Sequence, residues 1–122
     1  MEEWDPDTVE RRLDELQVVD VRPREEYAES HIPGAESLPM GEFAGGVGDR
    51  DWGDAVVLVC HVGEASVRAA RLLEAYEATA DATVASMAGG YRAWDGPLET
   101  GQDDPREAGG DAADDGASEA PF

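Results

Sequence analysis

Cys60 is the one cysteine among 122 residues, and it stands where a nucleophile would be built. Ahead of it runs Ala55-Val56-Val57-Leu58-Val59, a short apolar, β-branched stretch that reads as a buried parallel strand. Behind it come His61-Val62-Gly63-Glu64-Ala65, then Ser66-Val67-Arg68-Ala69-Ala70-Arg71-Leu72-Leu73, which reads as a helix. A thiol at a strand's C-terminal end, followed by a tight loop into a helix, faces a cradle of backbone N–H groups. Such a cradle lowers a thiol's pKa and binds anions. Thiolate chemistry is the expectation, against the plainer reading of Cys60 as a small buried hydrophobe. Gly63 fits a place where backbone approaches sulfur closely and φ turns positive. The N–H groups from His61 to Ser66, across Val62, Gly63, Glu64 and Ala65, would stabilise an anion on the sulfur.

The flanking side chains divide into direct and supporting roles. Ser66 is expected mainly to cap the helix, with a hydrogen bond to the sulfur as a second role. His61 is read as outward-facing rather than as a general base. Arg68, in the first turns of the helix, lends positive charge near the loop or lies on a solvated face. Asp20 and Arg22 flank Val21 and so share one side of their strand or its end. Their charge-assisted hydrogen bonds can brace the loop and the turn at His31, with direct substrate contact as the lesser reading. His31 is expected to be structural, and Tyr91 and Trp94 to be packing residues. Two dispersed histidines and one cysteine do not make a metal site.

These residues need a frame. Asp5-Pro6 reads as an N-cap followed by proline at the first helical position, with Val9, Leu13 and Leu16 on one helix face. Val18-Val19-Asp20-Val21 is a strand, and Pro23 to Glu29 a short helix with Tyr27 inside. His31 to Ala35 turns into an extended segment at Glu36-Ser37-Leu38. Met40 to Phe43 forms a helical turn, and residues 45–49 a loop. The Ala55–Val59 strand, a Ser66–Ala78 helix and a Thr83–Met87 strand follow. Gly89-Gly90 turns the chain into a last helix starting at Tyr91 to Trp94. Strands alternating with helices predict an α/β domain with a mostly parallel sheet and helices on both faces. In such sheets ligands sit at the carboxyl ends of the strands, where Cys60 falls.

The charge is extreme: 29 acidic residues against nine basic ones, all arginine, for a net charge of −20. The bias holds across residues 1–98, with 21 acids and eight arginines, which fits a host with molar internal salt that screens self-repulsion. Binding to nucleic acid or anionic lipid needs positive surface and is not expected. No apolar run approaches a membrane span, and the first residues lack a signal peptide's basic and apolar regions. A soluble, cytoplasmic monomer is expected. Residues 1–98 have globular texture. Residues 99–122 are rich in Gly, Ala and Asp and carry almost no large apolar side chains, so a disordered acidic tail is expected there.

Asp20-Val21-Arg22-Pro23-Arg24-Glu25-Glu26-Tyr27, Ser30-His31-Ile32-Pro33-Gly34-Ala35 and Leu38-Pro39 resemble the opening signature of rhodanese-like domains. Cys60-x-x-Gly63-x-x-Ser66 is similar to the family's active loop, and Met87-Ala88-Gly89-Gly90-Tyr91-x-x-Trp94 to its closing segment. The resemblance spans residues 4 to 97. It implies a rhodanese-like fold with a five-stranded sheet, and a cysteine that carries sulfur as a persulfide. It further implies a donor such as thiosulfate or a protein persulfide, a thiol or sulfur-carrier acceptor, and no cofactor. One departure stands out. Many single-domain members have arginine just before the loop serine, where this chain has Ala65, preceded by Glu64. A carboxylate there repels a dianionic donor by about 3 kcal/mol per charge pair at ~5 Å and a dielectric near 20, before screening. Related phosphatases use Cys-x5-Arg, but the sixth residue after Cys60 is Ser66. A non-catalytic binding module is the remaining alternative.

Overall fold

Five parallel strands, in the order β1-β5-β4-β2-β3, form one sheet. They are β1 (Glu2–Trp4), β2 (Gln17–Asp20), β3 (Glu36–Ser37), β4 (Ala55–Val59) and β5 (Thr83–Met87). Helices α1 (Pro6–Arg11), α2 (Arg24–Glu29), α3 (Met40–Gly46) and α4 (Ala65–Glu74) connect them, with single 3-10 turns between. The computed structural model describes residues 1–101. The alternation along β4 sorts two cores. Val56, Leu58 and Cys60 pack with Phe43, Ala69, Ala70 and Leu73 on the α3/α4 side. Val57 and Val59 pack with Val9, Tyr27, Ile32 and Trp94 on the other. Both faces of the centre are covered, which is why β4 is apolar throughout rather than alternating. The same phase aims Cys60 at the start of α4.

Several elements differ from the sequence reading. β1 was not expected: Glu-Glu-Trp lacks β-branched residues, and this short strand pairs along one side only, with β5, at the sheet edge. Asp5 does cap α1, accepting from Thr8 N–H at 2.9 Å. That helix ends at Arg11, and Leu13–Glu15 continue as a 3-10 turn. α3 runs to Gly46 and passes into a 3-10 turn at Val47–Asp49 where a loop was expected. α4 starts at Ala65 and stops at Glu74, short of Ala78. The Thr79 hydroxyl favours that end: its one proton is shared between the carbonyl groups of Leu73 and Tyr76, stabilising a break from the helix. The last helix is only a 3-10 turn, Gly90–Ala93.

The folded segment reaches past residue 98. Glu99 and His31 exchange backbone hydrogen bonds at 2.8 Å each, and Gly101 N–H donates to the Ala28 carbonyl. These contacts place residues 99–101 on the domain rather than in the tail. The rest of the expected tail, residues 102–122, lies outside the described residues.

Candidate active site

Cys60 follows β4 directly, and the chain then folds back over its sulfur. The N–H of Gly63 lies 3.1 Å from Sγ and that of Ser66 3.3 Å. The Ser66 hydroxyl is also 3.3 Å from Sγ. Gly63 makes the return possible at φ +92°, where a side chain's Cβ would come 3.0 Å from Gly89 N. Burial pushes the Cys60 thiol up. The Ser66 hydroxyl and the N–H groups of Ser66, Gly63 and Val62 outweigh that, and the thiol is held below its ordinary range.

Ser66 is therefore not a helix cap. It is fully buried in the first turn of α4, and its Oγ sits between Cys60 Sγ and Ser86 Oγ, 2.7 Å from the latter. Glu64 occupies the cap position with no side-chain cap bond. His61 and Arg68 are exposed. His31 is buried, stacked on Tyr27 with ring centroids 3.8 Å apart. Its Nδ1 donates to the Tyr27 carbonyl at 2.7 Å, and its Nε2 faces Glu99 at 3.2 Å. It has no contact with the sulfur and ties a turn to the Glu99 segment.

Asp20 and Arg22 form the brace, with Tyr91 as its centre. Asp20 is fully buried. It accepts from Arg22 Nε at 3.1 Å, from an Arg22 terminal nitrogen at 2.8 Å and from the Tyr91 hydroxyl at 2.9 Å. Arg22 also donates to the Ser30 carbonyl at 2.7 Å and lies over the Tyr91 ring at 3.8 Å. The Tyr91 hydroxyl accepts from Ile32 N–H, and its own N–H donates to the Cys60 carbonyl at 2.9 Å. Burial, with the Asp20 carboxylate beside it, drives the Tyr91 phenol far above its ordinary pKa, so it stays a donor. The pair thus reaches the loop through Tyr91, which is a hydrogen-bonding hub rather than the packing residue expected from sequence. No spacing in the sequence signals this role, since Asp20 lies 71 residues away along the chain.

An open cleft of about 350 Å³ leads to the sulfur, lined by Val21, Pro23, Met40, Val62 and Ala65 together with four charges, Arg22, Arg68, Glu26 and Glu64. Among the described residues no cluster of His, Cys, Asp or Glu could hold a metal ion. No helix there is long and apolar enough to cross a membrane. What the site offers is a buried, activated thiol at the floor of a cleft whose charges balance.

The family model of the rhodanese-like domain matches residues 5–96. The chain belongs to the rhodanese-like domain family. A rhodanese-like domain protein of Staphylococcus aureus superposes with a TM-score of 0.70 at 30% identity, covering 82% of this chain and 98% of that one. The thiosulfate sulfurtransferase GlpE of Pseudoalteromonas translucida is 30% identical over 67% of this chain and 75% of its own length. YrkF of Bacillus subtilis, named as a candidate sulfur carrier protein, is 33% identical over 69% of this chain. The match spans 44% of YrkF, less than half of that protein. Within this rhodanese-like domain, Glu64 and Ala65 line the cleft that leads to Cys60.

Proposed function

We propose that this protein is a sulfurtransferase that carries sulfane sulfur on Cys60. The observation behind the reading is the set of polar groups converging on one buried sulfur: two donating N–H groups and the Ser66 hydroxyl, which can donate once the sulfur is a thiolate, all within 3.3 Å of Sγ. The Cys60 thiolate attacks the outer sulfur of thiosulfate or of a persulfide. A new S–S bond forms, and the donor's S–S bond breaks. Its electron pair leaves with sulfite or with the donor's thiolate, and Cys60 holds a persulfide anion. An acceptor nucleophile, a thiol or a sulfur-carrier protein, then attacks the outer sulfur. The pair of the Cys60 S–S bond returns to Sγ and the thiolate is restored. The likeness to GlpE and YrkF supports sulfur handling as the chemistry. Incubation with a sulfane-sulfur donor is expected to add one reducible sulfur atom to the wild type and none to Cys60→Ser, read by intact mass. Equal gain in both, or gain in neither, overturns the proposal. The second outcome would favour a non-catalytic domain, the reading that Glu64 and Ala65 lend weight to.

The same two residues bear on the donor. Arg22 is already committed to Asp20, so Glu64 and Glu26 leave the cleft without surplus positive charge. Ala65→Arg is expected to raise kcat/KM for thiosulfate about ten- to hundred-fold, from a charge-assisted contact of roughly 1.5–3 kcal/mol. Steady-state kinetics with thiosulfate checks this. An unchanged value in a folded variant would show that donor charge does not limit turnover.

A further inference from the structure

Ser86 is a buried hydroxyl in the middle of the sheet, and the bond it makes is to a side chain of α4. It lies on β5 between Ala85 and Met87, fully buried, in phase with Val84 on the α4 side of the sheet. A buried hydroxyl is costly unless bonded, so the partner it has is informative. That partner is Ser66 Oγ at 2.7 Å, and Ser66 Oγ in turn is 3.3 Å from Cys60 Sγ. Three groups stand in series: Ser86, Ser66, sulfur.

A serine hydroxyl has one proton and can also accept. When Cys60 is a thiolate, the Ser66 hydroxyl donates a hydrogen bond to the sulfur, and its lone pair accepts one from Ser86. When the sulfur is protonated, the S–H can point to Ser66 and the Ser66 proton turns to Ser86. Each charge state leaves every member bonded. We propose that Ser86 is a positioning residue for the sulfur chemistry: it turns the Ser66 hydroxyl toward Cys60 Sγ whenever that sulfur carries charge. This rests on the reading of Cys60 as the sulfur-bearing nucleophile. During transfer, Sγ is charged before loading and again on discharge, and neutral while it bears the second sulfur. The chain therefore polarises Ser66 in the two steps where Sγ is nucleophile or leaving group. A better-stabilised leaving thiolate departs faster, so discharge is the step it should serve most.

The test is the pH dependence of iodoacetamide alkylation of Cys60 in the full chain, in wild type, Ser66→Ala, Ser86→Ala and the double variant. Ser66→Ala should move the midpoint upward. Ser86→Ala should move it upward less, about two- to fourfold in the acid constant, because it weakens the Ser66 bond without removing it. In the Ser66→Ala background the Ser86 substitution should add nothing. No shift from Ser86→Ala, or the same shift in both backgrounds, overturns the proposal. If the alanine variant does not fold, Ser86→Thr and Ser86→Val replace it, being nearly equal in volume and differing in the hydroxyl. The threonine variant should keep the wild-type midpoint and the valine variant should not, and equal midpoints again refute the role. Alkylation needs no sulfur donor, so the two readings fail separately. Coupled midpoints without sulfur loading refute the transfer chemistry alone. Loading without coupling refutes the role of Ser86 alone.

Discussion

Gly90→Ala is expected to unseat the active loop and cost much of the domain's stability. Gly90 sits at φ +60°, and a Cβ there would come 2.3 Å from the Cys60 carbonyl oxygen and 2.5 Å from that of His61. Both obstacles are backbone, so no side-chain rotation relieves them. The left-handed conformation costs alanine about 1–3 kcal/mol, and displacing packed backbone costs a further ~1–3 kcal/mol. The movement would also stretch the bonds from Tyr91 N–H to Cys60 and from Arg92 N–H to His61, which hold the loop from behind. For a domain of about this size, a loss near 4 kcal/mol lowers Tm by roughly 15–30 °C. Gly34→Ala supplies the comparison. Gly34 has φ +82° but nothing within 4 Å of its Cβ position, so only the backbone cost applies. Thermal melts should separate the two variants widely. Similar melting temperatures would show that the loop yields to Gly90 without strain.

The contrast between those glycines also marks what a sequence can reveal. Both read as turn residues, and only the fold says that one of them lies against the carbonyl of the nucleophile. Local pattern sufficed for β4, because an apolar β-branched run ending at a cysteine has few other meanings, and for the α4 helix after it. It failed for β1, whose Glu-Glu-Trp gains strand geometry from pairing with β5 rather than from propensity. For Ser66 it ranked the roles in the wrong order, the cap ahead of the bond to sulfur that the structure shows. Serine near a helix start is normally a cap, but this one lies a residue inside the helix, on the buried side, where its hydroxyl meets sulfur instead of backbone. Ser86 and Tyr91 were out of reach for a related reason. Their partners are 20 and 71 residues away along the chain, and no spacing rule links such pairs. Asp20 and Arg22 were legible because they are two residues apart on one strand end. Their route to the loop was not, since it passes through Tyr91.

That route leads to the other large effect. Asp20→Ala is expected to destabilise the domain by about 3–5 kcal/mol, the usual cost of removing one partner from a buried ion pair. The Asp20 side chain is inaccessible and that of Arg22 only 10% exposed. Without the carboxylate, the guanidinium keeps the Ser30 carbonyl and the Tyr91 ring but loses its counter-charge. Tyr91 loses the acceptor for its hydroxyl, and Arg22 N–H loses its bond to Oδ1 at 2.9 Å. The penalty comes mainly from the charge left behind rather than from any large net worth of the pair, and this distinction can be measured. Asp20→Ala combined with Arg22→Met should recover a substantial part of the stability lost in Asp20→Ala alone, because it removes the stranded charge and refills the space with an apolar side chain. Denaturant melts of the two single variants and the double variant decide the matter. If the double variant loses the sum of the single losses, the two side chains act independently, and the brace behind Cys60 is not an ion pair in the energetic sense. If stability recovers while sulfur loading of Cys60 stays slow, the pair matters to the site beyond holding the fold, as expected of an arginine that also lines the cleft.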